Sequence, residues 1–322
     1  MRALVTGAAG FIGSAFVRNA LLNSGSEPSE LDITAFDALS YAGNLENLAP
    51  VADRPEFTFV RGDITDADHL AAVLPGHDAV VNFAAETHVD RSIEGPSVFV
   101  RTNVLGTQTL LDAALRAGVK RFVQVSTDEV YGSIDEGSWT ESSPLDPNSP
   151  YAASKAAADH LALAYERTYG MNVSVTRCSN NYGPHQYPEK VIPYFVTLLM
   201  GGHRIPLYGD GGNVRDWLHV DDHCAGIRLV LDRGEPGEVY HIGGGVELSN
   251  RELTRLLLDE FDCTTDMIEQ VPDRPGHDRR YSLDDSKLRA LGYRPRVPFR
   301  EGLRATVNWY RENSSWWKPL LP

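Results

Sequence analysis

Two carboxylates stand side by side in the segment VSTDEVYGS, as Asp128 and Glu129, directly after Thr127. The residues before them, RFVQVS at 121–126, read as a buried strand. Adjacent acids push their pKa values apart, so one ionises while the other tends to keep its proton. A neutral acid beside an anionic base is the pair an elimination needs: one group removes a C–H proton and the other protonates the departing hydroxyl. Strand side chains alternate faces, so the three residues face one cleft only if the backbone turns there. That turn would lie at the carboxyl end of a strand, where open α/β sheets bind ligands. Alone, the segment reads as a capping Asp and a solvated Glu; the case for chemistry rests on what gathers around it.

Tyr151 and Lys155 in SPYAASK are four residues apart on a helix that starts at Pro150, so they share a face. A free tyrosine is a poor base at neutral pH; an ammonium nearby favours the phenolate, and so would the positive ring of an oxidised nicotinamide. The expectation is that Lys155 supplies part of that stabilisation. Gly7, Gly10 and Gly13 in TGAAGFIG follow a strand and open a helix. Small residues there let the backbone approach a pyrophosphate, and the helix N-terminus supplies donors. Asp37 ends the next strand, where an acid hydrogen-bonds a ribose 2′-hydroxyl and repels a 2′-phosphate, which favours NAD over NADP. Asp63 either faces the adenine or caps a helix at 65–74.

The elements that must hold these groups alternate. Strands are expected at 2–6, 31–36, 57–62, 78–85, 121–126 and 172–177, and helices at 11–22, 69–74, 97–117 and from 150 to Gly170. This rhythm predicts a parallel, doubly wound α/β sheet. After about residue 178 Pro and Gly increase, with helices at 191–201, 221–232, 249–261, 284–291 and 299–312 and a candidate strand at 237–242. The chain of 322 residues carries a net charge of -14 at pH 7, which argues against nucleic acid and anionic membranes as partners. Its three cysteines form no CxxC pair, so reduced thiols in a cytoplasmic protein are expected. The N-terminus lacks the pattern of a signal peptide, and no apolar run reaches membrane-spanning length. His219 and His223 have helical spacing, but the two Asp between them read as a helix start, and no metal is expected.

With TGAAGFIG, an acid after the second strand, the Ser/Thr strand end and YAASK in one chain, the sequence resembles the extended short-chain dehydrogenase/reductase family over essentially its whole length. The resemblance implies a Rossmann-type NAD-binding domain at 1–178 and a smaller C-terminal α/β sugar-nucleotide lobe at 179–322. A return of the chain to the first domain's sheet within about 215–245 is left open. Epimerases of the family have small residues where Asp128 and Glu129 stand, and decarboxylases and GDP-mannose dehydratases usually keep a Glu after a Ser. The Thr-Asp-Glu triplet instead resembles the sugar-nucleotide dehydratases that act on dTDP-glucose. FAAETHVDRSI (83–93), NNYGPHQYPEKVIP (180–193), PLYGDGGNVRDWLHVDDH (206–223) and DRPGHDRRY (273–281) agree, with Thr87 where most members have Ser.

That resemblance implies a tightly held NAD, contacted by Gly7, Gly10, Phe11, Ile12, Gly13, Asp37, Ser40, Asp63, Ile64, Phe83, Ala84, Ala85, Thr102, Tyr151, Lys155 and Asn181. It implies substrate contacts from Thr87, Asn180, Lys190, Val191, Pro206, Tyr208, Arg215, Asn250, Arg274, His277 and Tyr281, with Arg215 and Arg274 on the diphosphate and Tyr208 against thymine. Tyr151 would take the proton of the glucose 4-hydroxyl and Thr127 bond the same oxygen, Glu129 remove the C5 proton, and Asp128 protonate the departing C6 hydroxyl. A homodimer through a four-helix bundle of about 97–117 and 150–169 is also implied. The rivals are a UDP- or GDP-sugar dehydratase or an epimerase, and a nucleotide-sensing protein with an inactive site. The complete set of Tyr151, Lys155, Asp128 and Glu129 speaks against the last.

Overall fold

The computed structural model describes residues 1–22 and 30–321. Its strands are β1 (Arg2–Thr6), β2 (Asp32–Asp37), β3 (Phe57–Arg61), β4 (Ala79–Asn82), β5 (Arg121–Thr127), β6 (Val173–Cys178), β7 (Asn180–Tyr182), β8 (Ile205–Tyr208), β9 (Val214–His219), β10 (Val239–Ile242), β11 (Glu247–Ser249) and β12 (Ile268–Val271). Its helices are α1 (Phe11–Leu22), α2 (Ala67–Val73), α3 (Val89–Glu94), α4 (Pro96–Phe99), α5 (Thr107–Arg116), α6 (Pro150–Tyr169), α7 (Val191–Met200), α8 (Val220–Arg233), α9 (Asn250–Glu260), α10 (Ser286–Ala290), α11 (Phe299–Glu312) and α12 (Ser314–Trp317).

β4 and β6 are buried along their whole length, the pattern of strands covered on both faces. They belong to a seven-stranded sheet in the order β10-β6-β5-β4-β1-β2-β3, in which every pair is parallel. α1 and α8 cover one face through Phe16, Val17, Ile227 and Val230. α2, α5 and α6 cover the other through Leu70, Leu110, Leu111 and Ala162. The winding reverses between β1 and β4, which opens a crevice at their carboxyl ends.

The later chain is more structured than its Pro- and Gly-rich sequence indicated. Two small sheets, β11-β9-β7 and β12-β8, pack with α7, α9 and α11 around Phe195, Trp217, Leu257 and Tyr310. Their strands are too short for a periodicity to stand out. β10 joins the large sheet beside β6, and α8 with Leu288 and Tyr293 joins its core, so residues beyond 178 build both cores.

Several element bounds differ from those expected. The helix expected over 97–117 is α4, then a π-helical segment at Val100–Gly106, then α5. The strand expected over 78–85 stops at Asn82, and the chain beyond it leaves the sheet to wall the crevice. α2 begins at Ala67 because Asp66, not Asp63, caps it through the His69 amide. Asp63 closes a tight turn instead, accepting from the Thr65 amide at 2.8 Å. α6 keeps its expected bounds: Ser149 caps it, Pro150 opens it, and Gly170 ends it at φ 66°.

Candidate active site

The crevice holds a cavity of about 340 Å³. Its floor is the glycine turn between β1 and α1. A Cβ at Gly7 would lie 2.6 Å from the Ala84 nitrogen, and Gly7 sits at φ 63°. A Cβ at Gly13 would lie 2.2 Å from the Gly7 carbonyl oxygen. These two glycines therefore let strand, turn and helix close on one another, while Gly10 borders the cavity itself. The first turn of α1 has no acidic residue, so its positive pole stays available to a pyrophosphate. Asp37 accepts from the Ala9 amide at 2.8 Å and from the Leu39 amide at 2.7 Å. Burial pushes its pKa up while those two bonds oppose the shift. Each oxygen keeps a lone pair for a ribose hydroxyl. The cradle fits NAD: a helix N-terminus with small residues, and a fixed carboxylate at the end of β2.

All of the residues expected at the cofactor line this one cavity, with Asp63 and Ile64 on the β3 side and Asn181 on the β7 side. Thr127, Asp128, Glu129, Tyr151 and Lys155 line it as well. The backbone does turn after Thr127, into a short 3₁₀ helix at Asp128–Tyr131. Thr127 Oγ1 donates to Asp128 Oδ1 at 3.2 Å and accepts the Glu129 amide at 3.3 Å.

The two acids meet different surroundings. Asp128 is 2 % exposed, and one of its oxygens makes no hydrogen bond. Burial, then Glu129, lifts its pKa well above the carboxylate range. Glu129 is only half-buried at the cavity wall. Burial raises its pKa too, with Arg215, Arg274 and Lys190 opposing the rise, where Asp128 has Arg215 against it. The arrangement favours a proton on Asp128 and a charge on Glu129, which gives one acid and one base.

Tyr151 is buried as well. Burial, then Glu129, Cys178 and Asp128, drives its pKa well above 10, and the hydrogen bond with Thr127 opposes the rise. Lys155 does not overcome these effects: its ammonium donates to the Val125 carbonyl at 2.6 Å, and burial lowers its own pKa. In the protein alone the phenol is neutral, so its conversion to a base requires further positive charge.

Among the residues expected at the substrate, Thr87, Asn180 and Lys190 line the cavity. Lys190 donates to the Thr87 carbonyl at 3.0 Å, and Asn180 Oδ1 is buried without a partner. The others lie outside this lining. Val191 is at the first turn of α7, Pro206 and Tyr208 are in β8, and Asn250 opens α9 with its amide on the Asn213 carbonyl. Arg215 is buried over the Tyr281 ring at 4.2 Å and donates to the Asp278 carbonyl at 2.9 Å. Tyr281 in turn donates to Asp278 Oδ2 at 2.6 Å, which leaves its hydroxyl engaged. Arg274 lies 3.6 Å from Asp90, and the His277 ring stands edge-on to Tyr208. Asn181 accepts from His223, whose burial lowers its pKa to about 3, while His219 caps α8. No three potential metal ligands converge among the described residues.

The sequence reading did not select Glu86, Cys178, Glu189 or Trp316, which also line the cavity. Tyr41 donates to Glu189 at 2.9 Å, and Trp316 donates to Asn47 at 2.9 Å, so the 185–190 loop and the C-terminal helix close over the crevice. Glu86 is held by the Asn103 side chain, which also donates to Ser154 at 2.8 Å on α6. A buried Asn inside an apolar helix was the one signal available for this contact.

The family described as GDP-mannose 4,6 dehydratase matches residues 4–306. A dTDP-glucose 4,6-dehydratase of Streptomyces antibioticus is 63% identical over 323 residues, covering 99% of this chain and 95% of that protein. The crystal structure of DesIV (dTDP-glucose 4,6-dehydratase) from Streptomyces venezuelae, with NAD and dTDP bound, has a TM-score of 0.97 at 62% identity, covering 100% of both chains. A UDP-glucose 4-epimerase of Thermotoga maritima with UDP-glucose has a TM-score of 0.89 at 31% identity, covering 98% of this chain and 100% of that one. The shape is common to dehydratase and epimerase; the identity is twice as high with the dehydratase.

Proposed function

The chain belongs to the sugar-nucleotide 4,6-dehydratase family, and on that premise we propose that it converts dTDP-glucose to dTDP-4-keto-6-deoxyglucose and water. It is an NAD-dependent hydro-lyase of nucleotide deoxysugar biosynthesis. The observation that carries the reading is the Asp128–Glu129 pair, which lines one cavity with Tyr151 and Lys155, with Asp128 driven well above the carboxylate range while three cations oppose the rise at Glu129. An epimerase has no use for a buried neutral acid, since no hydroxyl leaves.

NAD⁺, when bound, takes a hydride from C4, returns it to C6, and brings the positive charge that the Tyr151 phenol lacks in the protein alone. Tyr151 accepts the proton of the 4-hydroxyl while Thr127 holds the same oxygen. The ketone at C4 acidifies C5, and Glu129 removes that proton. Asp128 gives its proton to the C6 hydroxyl, which leaves as water, and with the hydride back at C6 a proton returns to C5 to complete the product. Arg215, Arg274 and Lys190 neutralise the substrate diphosphate and keep Glu129 ionised. Lys155 stays fixed on the Val125 carbonyl at the wall of the cavity. The protein acts as a homodimer in the cytoplasm. Support for the dimer comes from Val98, Val100 and Leu105, 46%, 56% and 52% exposed along α4 to α5, and from Tyr169, 57% exposed at the end of α6.

Mass spectrometry of the purified protein with dTDP-glucose, and with UDP-glucose in parallel, tests the reading. Loss of one water from dTDP-glucose without added NAD is expected, slowed at least about a hundredfold by Asp128→Asn or Tyr151→Phe. Unchanged dTDP-glucose after NAD has been supplied would sink the assignment, and an isomer of unchanged mass would mark an epimerase.

A further inference from the structure

The turn that carries both acids is pinned at two ends. Thr127 holds the first, through the Glu129 amide. The second is Tyr131, which is 1% exposed and points away from the cavity into the core. Its hydroxyl accepts from Arg177 Nη1 at 2.5 Å and meets His241 Nε2 at 2.7 Å. His241 Nδ1 lies 2.9 Å from the Asp284 carbonyl, which can only accept, so Nδ1 carries the proton and Nε2 is the acceptor. The donors therefore run one way, from Arg177 to Tyr131 to His241 to Asp284. Burial keeps both middle members neutral, the phenol pushed up to about 12 and the imidazole down to about 4. Trp139 stacks on the Tyr131 ring at 5.7 Å and Arg177 lies over it at 4.9 Å.

Arg177 has a second partner. Its Nε donates to Asp159 Oδ2 at 2.9 Å, and neither side chain is more than 4% exposed. Asp159 lies on α6, one turn after Lys155 and two after Tyr151. The path thus runs from the helix of the oxidising pair, through β6, to the turn of the eliminating pair. An ion pair that merely stapled α6 to β6 would need no tyrosine from the acid turn.

We propose that Tyr131 is a positioning residue: held between Arg177 and His241, it ties the turn of Asp128 and Glu129 to the helix of Tyr151 and Lys155, so that the acids meet C5 and C6 while the tyrosine meets C4. The inference rests on the dehydratase reading. It separates the two halves of the reaction, because loosening Tyr131 misplaces the acids and leaves Tyr151 and Lys155 in place.

The test uses Tyr131→Phe, which keeps the ring, and Arg177→Lys, which keeps a counter-charge for Asp159 but falls short of Tyr131. Each full-length holoenzyme is mixed with dTDP-glucose, and the absorbance of reduced nicotinamide is followed beside product formation. Expected are a roughly tenfold lower kcat, a KM within about twofold, and a reduced-nicotinamide band that persists during turnover because oxidation proceeds and elimination lags. A kcat equal to that of the wild type, or a loss of rate with no persistent band, overturns the inference. Should Tyr131→Phe not fold, Arg177→Lys decides by the same criteria. A wild-type protein that leaves dTDP-glucose unchanged overturns the dehydratase reading, and this inference with it.

Discussion

Asp128 and Glu129 are neighbours in the chain, yet their surroundings divide them into acid and base. Burial raises the Asp128 pKa in the folded state, while the unfolded carboxyl stays near the ordinary value of about 3.9. The folded protein therefore binds this proton more tightly than the unfolded chain does. The stability gained is complete below the unfolded pKa and is lost as pH rises through the folded one. Asparagine has no proton to lose. Asp128→Asn should melt a few degrees above the wild type at about pH 8, with the gap closing as pH falls toward about 4. Thermal melts over that range check this; a gap that does not change with pH would mean that Asp128 is ionised in the folded state. The acid pair itself was legible in the sequence. What divides it was not, because Arg274 and Lys190 reach Glu129 from distant segments, while Arg215 acts on both acids. Spacing on a helix likewise places the Lys155 ammonium near the Tyr151 phenol but says nothing of the burial and the anions that raise the phenol's pKa in the protein alone.

Among the elements, the β1–α1 turn is where sequence pattern and structure agree most closely, since each glycine answers a separate steric demand. A methyl at residue 13 would strike the Gly7 carbonyl at 2.2 Å, a collision between backbone segments that no rotamer relieves. At residue 10 the same methyl would meet that carbonyl at 3.3 Å and otherwise face the cavity. Gly13→Ala should cost about 2–3 kcal/mol of stability. Gly10→Ala should melt close to the wild type when both are stripped of cofactor, yet release NAD on gel filtration. If instead both variants keep their NAD, the turn does not set how closely the backbone meets the pyrophosphate. The helix before α5 shows the limit of such patterns. Its apolar spacing is helical throughout, and nothing in it announces the π-helical segment that puts Asn103 onto Glu86. A one-residue change of register leaves the apolar count intact, so periodicity is blind to it.

At the scale of the whole molecule, the α/β sheet was legible because most of its strands alternate with helical runs. The second core was not, because its strands are short and pair across intervening helices and strands. The helices that carry site residues also carry the exposed apolar ones. The segment from α4 to α5 supplies Thr102 to the cavity and leaves Val98, Val100 and Leu105 outside; α6 supplies Tyr151 and Lys155 and leaves Tyr169 outside. Burying these side chains against a second copy removes apolar surface worth about 25 cal/mol per Å² from water. Such a contact would also brace the helices from which Thr102, Tyr151 and Lys155 project. A net charge of -14 disfavours association in general, so two glutamates placed within the apolar patch should abolish it. Val100→Glu with Leu105→Glu is expected to halve the mass measured by light scattering after gel filtration. The resulting monomer should hold NAD less tightly than the wild type, because both helices wall the cofactor cavity. A double variant that keeps the wild-type mass would remove this face as the interface. A monomer that retains NAD and full turnover would show that each chain positions its cofactor without help from a second copy.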